Sequence, residues 1–362
     1  MHIVVSVIIP CFNHGDFLTC AVSSVLAQSY ADWEAIVVDD GSTDNTREVA
    51  EQFGDPRVRY IYQTNLGLSA ARNTGIQAAE GRYLAFLDAD DEWERDFLSR
   101  CVQELSTDPS VIGVVTRSKF IDHAGKALPT LGGKVVPSED FRQQLLEGGF
   151  FPINAAVAEA AVVREVGLFD TNLTSVEDWD LWLRISERYR MKTIPDVLAK
   201  YRIYTGSMWT NAERMHVNRL AALTKRFGGI EASPSTWSAE KRMVYGFAFR
   251  ASAIGYLQQG DREVAWRLLG TAVNYWPPLL RRLDTFYEFA CGEQARGYRG
   301  VAVGLDIEAH GAELLHGLER IFAGGSSAIR ENEPVALGLA FLALEMLHEQ
   351  AGNWDEARNY IL

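Results

Sequence analysis

Hydrophobic residues in the first half of the chain form short continuous runs, and helical patterns lie between them. Nearly continuous β-branched runs predict strands buried on both faces at residues 3–9, 33–38 and 58–62. Apolar side chains at helical spacing predict helices at residues 16–28 and 68–79. This alternation predicts a Rossmann-like α/β fold with a mostly parallel sheet, right-handed crossovers and helices on both faces. We expect Pro10 to end the first strand.

A fourth apolar run ends in a group of carboxylates. Residues 83–87 are apolar or aromatic, and they are followed by Asp88, Asp90 and Asp91. Mg²⁺ and Mn²⁺ prefer oxygen ligands and share them with substrate phosphates. Ligands of open α/β sheets gather at the carboxyl ends of strands. One hypothesis is a metal–diphosphate site at these three acids, and the alternative is a polar loop that caps the next helix.

Polar residues also follow the first two strands. If strands one, two and four are neighbours, Asn13, Asp39 and Asp88 converge on one crevice. A carboxylate there suits the N–H of a uracil or a ribose hydroxyl, and the ring of Phe12 can line the base. The alternative is that Asp39 and Asp40 form a helix-capping turn. The sequence has neither GxGxxG nor GxxxxGK[ST], so a metal or side chains must handle phosphate charge.

A second acidic group opens a predicted helix at Glu177 and Asp178. Thr174 and Ser175 stand three residues before these acids, which fits a capping box, and first-turn acids also complement the helix dipole. A first-turn carboxylate at a crevice is equally well placed as a general base. The residues alone leave both interpretations open.

Length and charge set limits on the protein class. The length of 362 residues indicates two domains, because it is too long for one ordinary hydrophobic core. We place these domains at residues 1–210 and 211–362. The net charge is −13, from 35 Lys and Arg against 48 Asp and Glu, so a nucleic-acid partner is not expected. The four cysteines form no CxxC pair, which fits a reducing compartment. With no signal peptide and no transmembrane run evident, we expect a cytoplasmic protein.

Six stretches of the chain occur in an order and spacing typical of one enzyme family. They are VIIPCFN at 7–13, VVDDGSTD at 37–44, NLGLSAARN at 65–73, FLDADD at 86–91, VGLFD at 166–170 and EDWDLW at 177–182. Taken together, they resemble the family 2 glycosyltransferases, which have the GT-A fold and are usually inverting. The resemblance covers roughly residues 1–210. Each stretch alone is weakly specific, whereas the ordered set is strongly specific.

The resemblance implies a nucleotide-diphosphate sugar donor, with a UDP-sugar preferred, and Mn²⁺ or Mg²⁺ as cofactor. The implied acceptor is a hydroxyl of a glycan, a lipid-linked molecule or a protein. The implied nucleotide-binding residues are Pro10, Phe12, Asn13, Asp39, Arg72, Asn73 and Asp88. Asp90 is implied as a metal ligand, with Asp88 on the ribose or the metal. Asp178 is implied as the base that deprotonates the acceptor, and Glu177 is the alternative base.

One motif departs from the family. Many relatives carry Tyr-Arg-x-His after the acceptor helix, whereas Tyr204 stands here in the place of the histidine. Tyrosine cannot supply a neutral nitrogen ligand, which puts metal coordination or loop closure at this position in question. The QxxRW motif of processive synthases is also absent, so we expect transfer of one or a few sugars.

Two other classes compete with the transferase hypothesis. A sugar nucleotidyltransferase would carry a glycine-rich basic loop after the first strand, but residues 10–15 contain no Lys or Arg. A non-catalytic or partner-dependent GT-A-like protein would act through its helical C-terminal region. The intact acids argue against that protein class, while Tyr204 leaves it open.

The C-terminal part is predicted to be helical. One tetratricopeptide-like hairpin is indicated by Phe249, Ala253, Tyr256, Gly260, Ala265, Ala272 and Pro277, and a partial repeat by Leu344, Gly352 and Ala357. We interpret it as a structural cap, with docking of a partner or acceptor carrier as the alternative. Residues 277–289 favour a core-facing helix, although an interfacial helix with peripheral membrane contact also fits their pattern.

Overall fold

A computed structural model describes residues 4–204, 210–231, 233–302 and 304–353. The chain forms two compact units. The first comprises Met1–Leu145 and Gly149–Tyr204, and the second comprises Leu146–Gly148 and Thr205–Leu362. The main division follows Tyr204, close to the boundary predicted after residue 210.

The first unit is built on one mixed sheet. Its strands are β1 Val5–Cys11, β2 Trp33–Asp40, β3 Val58–Gln63, β4 Tyr83–Phe86, β5 Glu92–Trp93, β6 Val111–Ile121, β7 Ala127–Gly132, β8 Ala156–Glu159 and β9 Arg190–Arg202. The helices of this part of the chain are α1 Gly15–Leu26, α2 Thr46–Glu51, α3 Leu68–Ala78, α4 Phe97–Thr107, α5 Phe141–Leu146, α6 Ala160–Glu165 and α7 Glu177–Ser186. Helices cover the sheet on both sides, as the sequence predicted.

The strand order is β3-β2-β1-β4-β8-β6-β9-β5, with β7 paired to β6. The four strands β3, β2, β1 and β4 run parallel to one another. Strand β8 is antiparallel to both of its neighbours, β4 and β6. A turn at residues 122–125 joins β6 to antiparallel β7. Since β2, β1 and β4 are neighbours, the condition for a shared crevice at their carboxyl ends is met.

Pro10 does not end β1, which runs on to Cys11 with Pro10 paired to Val38. The reason is local. The pairing of β1 with β4 stops at Ile8, two residues earlier, so the ladder on that side needs no N–H from Pro10. Residues 1–3, where the predicted strand began, lie outside the described part of the chain.

Aromatic packing fixes α7 beneath β4. The ring of Phe86 in β4 contacts Trp182 of α7 edge-on with centroids 6.3 Å apart, and Phe169 at 5.3 Å. Phe151 contacts the other side of Trp182 at 5.8 Å. Both Phe86 and Trp182 are almost fully buried, so this contact belongs to the core. It brings the first turn of α7 towards the residues that follow β4.

The second unit is helical. Its helices are α8 Ala212–Phe227, α9 Ala239–Gln258, α10 Arg262–Tyr275, α11 Leu283–Ala290, α12 Ile307–Gly324, α13 Ser327–Arg330 and α14 Glu333–Ala351. Helices α9 and α10 pack together around a turn at Gly260, whose φ of +81° suits glycine. Ala357, in the predicted partial repeat, lies outside the described residues.

The stretch 277–289 is buried within the second unit. Leu279, Leu280, Phe286 and Phe289 are each at most 4% exposed, so the interfacial-helix alternative is wrong and the core-facing alternative is confirmed. Across the described residues, we find no helix whose length and apolar character would suffice to span a membrane.

Candidate active site

The loops after β1 and β2 are tied together by side-chain to backbone hydrogen bonds. Asn13 adopts a φ of +53°, and its Oδ1 accepts from the N–H of Thr43 at 2.8 Å. Its own N–H donates to the Ser42 hydroxyl at 2.9 Å. Asn tolerates the left-handed region better than most residues, which explains its presence here. Asn13 therefore shapes the edge of the crevice with its side chain already engaged.

Asp39 lies at the end of β2 and is 1% exposed. Its Oδ1 accepts from the N–H of Ser42 at 2.8 Å, and its Oδ2 accepts from the Tyr60 hydroxyl at 2.6 Å. Burial and the neighbouring Asp39 carboxylate raise the pKa of Tyr60, so the phenol stays protonated and donates. A carboxylate can accept about four hydrogen bonds, so Asp39 retains acceptor capacity for a ligand.

Asp40, the next residue, has a structural role. Its carboxylate accepts from Gln63 Nε2 at 2.6 Å and from the N–H groups of Leu66 and Gly67 at 2.9 and 2.8 Å. These bonds fix the approach to α3, which begins directly after Gly67. The two adjacent acids of β2 thus point into different environments, as successive strand residues do.

Arg72 of α3 links the two acidic groups of the sequence. It is 1% exposed, and its Nη2 donates to Asp88 at 2.7 Å while its Nη1 donates to Glu177. Burial alone would lower the pKa of Arg72, but the carboxylates of Asp88 and Glu177 raise it above its ordinary value. One buried guanidinium therefore holds the end of β4 against the start of α7.

Asn73, beside Arg72, is engaged with the backbone. Its Nδ2 donates to the carbonyl of Phe169, and its Oδ1 accepts from the N–H of the same residue, both at 2.9 Å. This amide pairing attaches the 166–170 segment to α3. The structure therefore places Asn73 in a bracing position, with both ends of its side chain occupied.

Asp178 is half-buried at the first turn of α7. Burial, followed by the neighbouring Glu177 carboxylate, raises the pKa of Asp178 to about 7, against the lowering effect of Arg72. Its Oδ1 accepts from the N–H of Trp179 at 2.7 Å. Glu177, by contrast, is 4% exposed and is directed towards Arg72.

The capping-box interpretation of this helix start is wrong. Helix α7 begins at Glu177, and its N-cap is Val176, which has a φ of +56° and makes no side-chain cap hydrogen bond. A capping box at Thr174 or Ser175 would require α7 to begin before Glu177. A β-branched residue at positive φ is strained, and such strain persists where the surroundings impose it. Here the surroundings include the Arg72–Glu177 ion pair.

Asp91 is directed into the protein, so the three-acid metal site is not formed as first proposed. It is 1% exposed, and its oxygens accept from the N–H of Arg202 and from Asn154 Nδ2, both at 2.8 Å. Arg202 also donates through Nε to the carbonyl of Asp90 at 2.6 Å. Asp91 therefore anchors the acidic loop, residues 88–91, to the end of β9.

Asp90 remains at the crevice, and Tyr204 contacts it. The Tyr204 hydroxyl donates to Asp90 Oδ2 at 3.0 Å. Burial and repulsion from Asp88 raise the pKa of the Asp90 carboxyl. The tyrosine that replaces the expected histidine is thus a hydrogen-bond donor to the implied metal ligand.

The acidic loop suits a cation that is shared with a ligand. Within the described ranges, no three His, Cys, Asp or Glu side chains come together as a metal cage. Mg²⁺ and Mn²⁺ are usually held by one or two carboxylates plus substrate phosphates, which matches Asp88 and Asp90. Their mutual repulsion, visible in the raised pKa of Asp90, is what a divalent cation relieves. These two residues therefore fit the implied metal.

Exposed apolar side chains lie near the same sheet edge. Phe12 follows Pro10 and Cys11 at the end of β1 and is 45% exposed, while Tyr62 and Leu66 are 58% and 66% exposed. Tyr62 is paired with Asp39 in the β2–β3 ladder. An apolar surface beside a buried carboxylate is suited to a planar base.

Sequence reasoning missed two residues that shape this site. Tyr60 holds Asp39, and Arg202 fixes the acidic loop through hydrogen bonds to five groups of the protein. No local pattern marks Tyr60, because it reaches Asp39 across a strand pairing. Arg202 is the arginine of the motif in which Tyr204, two residues later, departs from the family, and that motif was a signal of its role.

Comparison with known proteins shows which family this chain resembles. Residues 6–157 match the model of glycosyl transferase family 2. An uncharacterised glycosyltransferase of Nostoc sp. is 35% identical over 216 residues, covering 55% of this chain and 65% of the relative. Another from Rickettsia prowazekii is 30% identical over 219 residues, covering 58% and 66%. This part of the chain is therefore similar to glycosyltransferase family 2.

The chain also has a solved structural neighbour. A mannosyltransferase from Pyrobaculum calidifontis, solved with GDP-Man and Mn²⁺, matches with a TM-score of 0.51 and 20% identity. The match covers 97% of this chain and 87% of that one, and it supports the GT-A fold. The chain spans just under two thirds of the length of the two curated relatives.

We predict that replacing Arg72 strongly destabilises the first unit of the chain. Arg72→Met leaves the buried Glu177 carboxylate without its partner, so the free energy of unfolding should fall by about 3–5 kcal/mol. The measurement is urea unfolding followed by tryptophan fluorescence. The matched control is Arg47→Met, which breaks an exposed pair with Glu51 and should change stability by at most about 1 kcal/mol. Equal effects of the two variants would contradict the bridging role of Arg72.

Proposed function

We propose that the protein transfers a sugar from a nucleotide-diphosphate sugar, a UDP-sugar in the first instance, to an acceptor hydroxyl with inversion. The observation that carries this proposal is Asp178, a half-buried carboxylate with a pKa of about 7 at the start of α7. It is linked through Arg72 to the acidic loop. The match of residues 6–157 to the model of glycosyl transferase family 2 supports the reaction class.

Asp178 is proposed as the general base. A base with a pKa near the working pH combines a large deprotonated fraction with good proton affinity. The acceptor oxygen attacks the anomeric carbon while its proton moves to Asp178. The bond from that carbon to the diphosphate oxygen breaks, and its electron pair leaves with the nucleoside diphosphate. One bond forms and one breaks on opposite faces, which inverts the anomeric centre.

Glu177 is the less suitable base. Its carboxylate is buried and paired with Arg72, so it lacks the access to an acceptor that proton abstraction needs. Its role in the proposal is to hold Arg72, which in turn orients Asp88. Adjacent residues of a helix point in different directions, so one of the pair serves the fold and the other the reaction.

The donor site is proposed at the crevice edge of β1, β2 and β4. Asp39 accepts a hydrogen bond from the nucleotide's base or ribose, and the exposed ring of Phe12 contacts the nucleotide's base. Asp88 and Asp90 would hold a Mn²⁺ or Mg²⁺ ion shared with the diphosphate. When bound, such an ion stabilises the negative charge of the leaving group. Pro10, Asn13 and Asn73 shape this edge through the backbone.

The experiment that tests the proposal is calorimetric titration with UDP, GDP and dTDP, each with and without Mn²⁺. We expect binding of UDP that is lost on chelation, followed by turnover of a UDP-sugar when acceptors are screened. The acceptor screen covers glycans, lipid-linked saccharides and glycoproteins. Metal-dependent binding without turnover would favour a non-catalytic GT-A-like protein, and binding of none of the three nucleotides would contradict the proposal.

Replacing the proposed base should separate binding from chemistry. Asp178→Asn preserves shape but cannot accept a proton, so kcat should fall by at least about a hundredfold with donor affinity nearly unchanged. Initial rates and calorimetry measure the two quantities. Glu48→Gln, at an exposed position of α2, is the control and should retain full rate. Near-normal turnover of Asp178→Asn would exclude this residue as the base.

The pH dependence follows from the raised pKa of Asp178. A base works only when deprotonated, so kcat/KM should rise with pH through about 7 and level off above it. The profile is measured at saturating metal between about pH 5.5 and about 8.5, over which wild-type folding is checked by circular dichroism. A flat profile across this interval would contradict the assignment.

Replacing Asp90 should remove the metal dependence of donor binding. Asp90→Ala deletes a ligand carboxylate, so the gain in UDP affinity that Mn²⁺ provides should largely disappear. Calorimetry with and without the ion measures this gain. Asp96→Ala, beyond the acidic loop, is the control. An unchanged response to Mn²⁺ would remove Asp90 from the metal site.

A further inference from the structure

The arginines at the acidic loop are already committed to protein groups. Arg72 donates to Asp88 and Glu177 through its two terminal nitrogens. Arg202 donates through Nε to the Asp90 carbonyl, through Nη1 to two carbonyls of the β6–β7 hairpin, and through Nη2 to Glu92. A diphosphate bound here must therefore find hydrogen-bond donors beyond these two side chains.

Two histidines contact the ring of Tyr204 in an aromatic group that we name the Phe17 cluster. Its members are His14, Phe17, His123 and Tyr204. The rings of His14 and His123 lie 6.4 and 6.3 Å from the Tyr204 ring, both edge-on. Phe17 contacts all three other rings, with centroids 5.0 to 5.9 Å apart. The guanidinium of Arg202 lies 5.0 Å over Phe17 and fixes the other side of its ring.

Tyr204 connects the Phe17 cluster to the acidic loop. Tyr204 donates to Asp90 Oδ2 at 3.0 Å, so both imidazoles flank the residue that contacts Asp90. In the described part of the chain, the contacts of the His14 and His123 rings are with aromatic rings, and neither imidazole has a hydrogen-bond partner in the protein. Their N–H groups are thus available to a ligand.

The position of His14 adds a backbone contribution. It is the N-cap of α1, a helix of 12 residues that begins at Gly15. The N-terminal end of a helix carries partial positive charge and favours phosphate. His123 approaches from the β6–β7 hairpin, so the two imidazoles come from separate parts of the fold and converge at one residue.

We propose that His14 and His123 form a phosphate subsite, in which both imidazoles donate hydrogen bonds to the terminal phosphate of the nucleoside diphosphate leaving group. This inference rests on the proposed function and adds residues to its donor site. When the sugar–oxygen bond breaks, the electron pair stays on that phosphate oxygen, and the two N–H donors stabilise the charge it gains. Tyr204 separates the imidazoles and positions Asp90.

The test compares a nucleoside diphosphate with its monophosphate. His14→Phe and His123→Phe keep an aromatic ring against Phe17 and remove the donors. Calorimetry in Mn²⁺ measures UDP and UMP affinity for wild type, both single variants and the double variant. The control is His316→Phe, at an exposed position of α12. We expect the double variant to lose about tenfold or more in UDP affinity, with UMP affinity changed less than about twofold.

A second readout uses the imidazole proton resonances of wild type. UDP should shift the resonances of His14 and His123, assigned from the single variants, and leave that of His316 unchanged. If the double variant, folded by circular dichroism, keeps the wild-type ratio of UDP to UMP affinity, the phosphate subsite is wrong while the proposed function stands. If wild type binds no nucleoside diphosphate, the proposed function falls and the subsite with it.

Discussion

The buried ion pairs of Arg72 are the interaction on which the candidate site depends. The guanidinium joins Asp88, after β4, to Glu177, at the start of α7. A buried charge is tolerated only when it is paired and hydrogen-bonded, so each of the three residues requires the others. The aromatic contacts between Phe86 and Trp182 hold the same two elements together without polar groups. The residues that follow β4 and the first turn of α7 are thereby held against each other.

Neighbouring acids in this domain have divided tasks. Asp40, Asp91 and Glu177 are buried and bind backbone or arginine donors, while Asp88, Asp90 and Asp178 remain partly accessible at the crevice. Burial beside other carboxylates raises the pKa values of Asp90 and Asp178. Perturbed pKa values concentrated in one cleft are typical of functional sites. The acids that brace the loops make such a concentration of charge tolerable.

The alternation of strands and helices, the two acidic groups and the helical C-terminal part could be predicted because they depend on local hydrophobic patterns and ordered motifs. The errors have physical causes outside those patterns. Pro10 continues β1 because β4 ends early, and Asp91 is directed inward because β9 returns Arg202 to it. The capping boxes at Thr174 and Ser175 failed because α7 starts later, at Glu177. Each outcome was decided by a partner distant in the chain.

The sequence by itself determined the α/β pattern, the resemblance to family 2 and the set of acids from which the site is drawn, since these follow from residue periodicity and motif order. Only the tertiary structure decided which acid of each adjacent pair faces the crevice. It also placed Tyr60 on Asp39 and gathered His14 and His123 around Tyr204. The physical reason is that burial and charge pairing depend on residues far apart in the chain, whose positions are set by the packing of the whole domain.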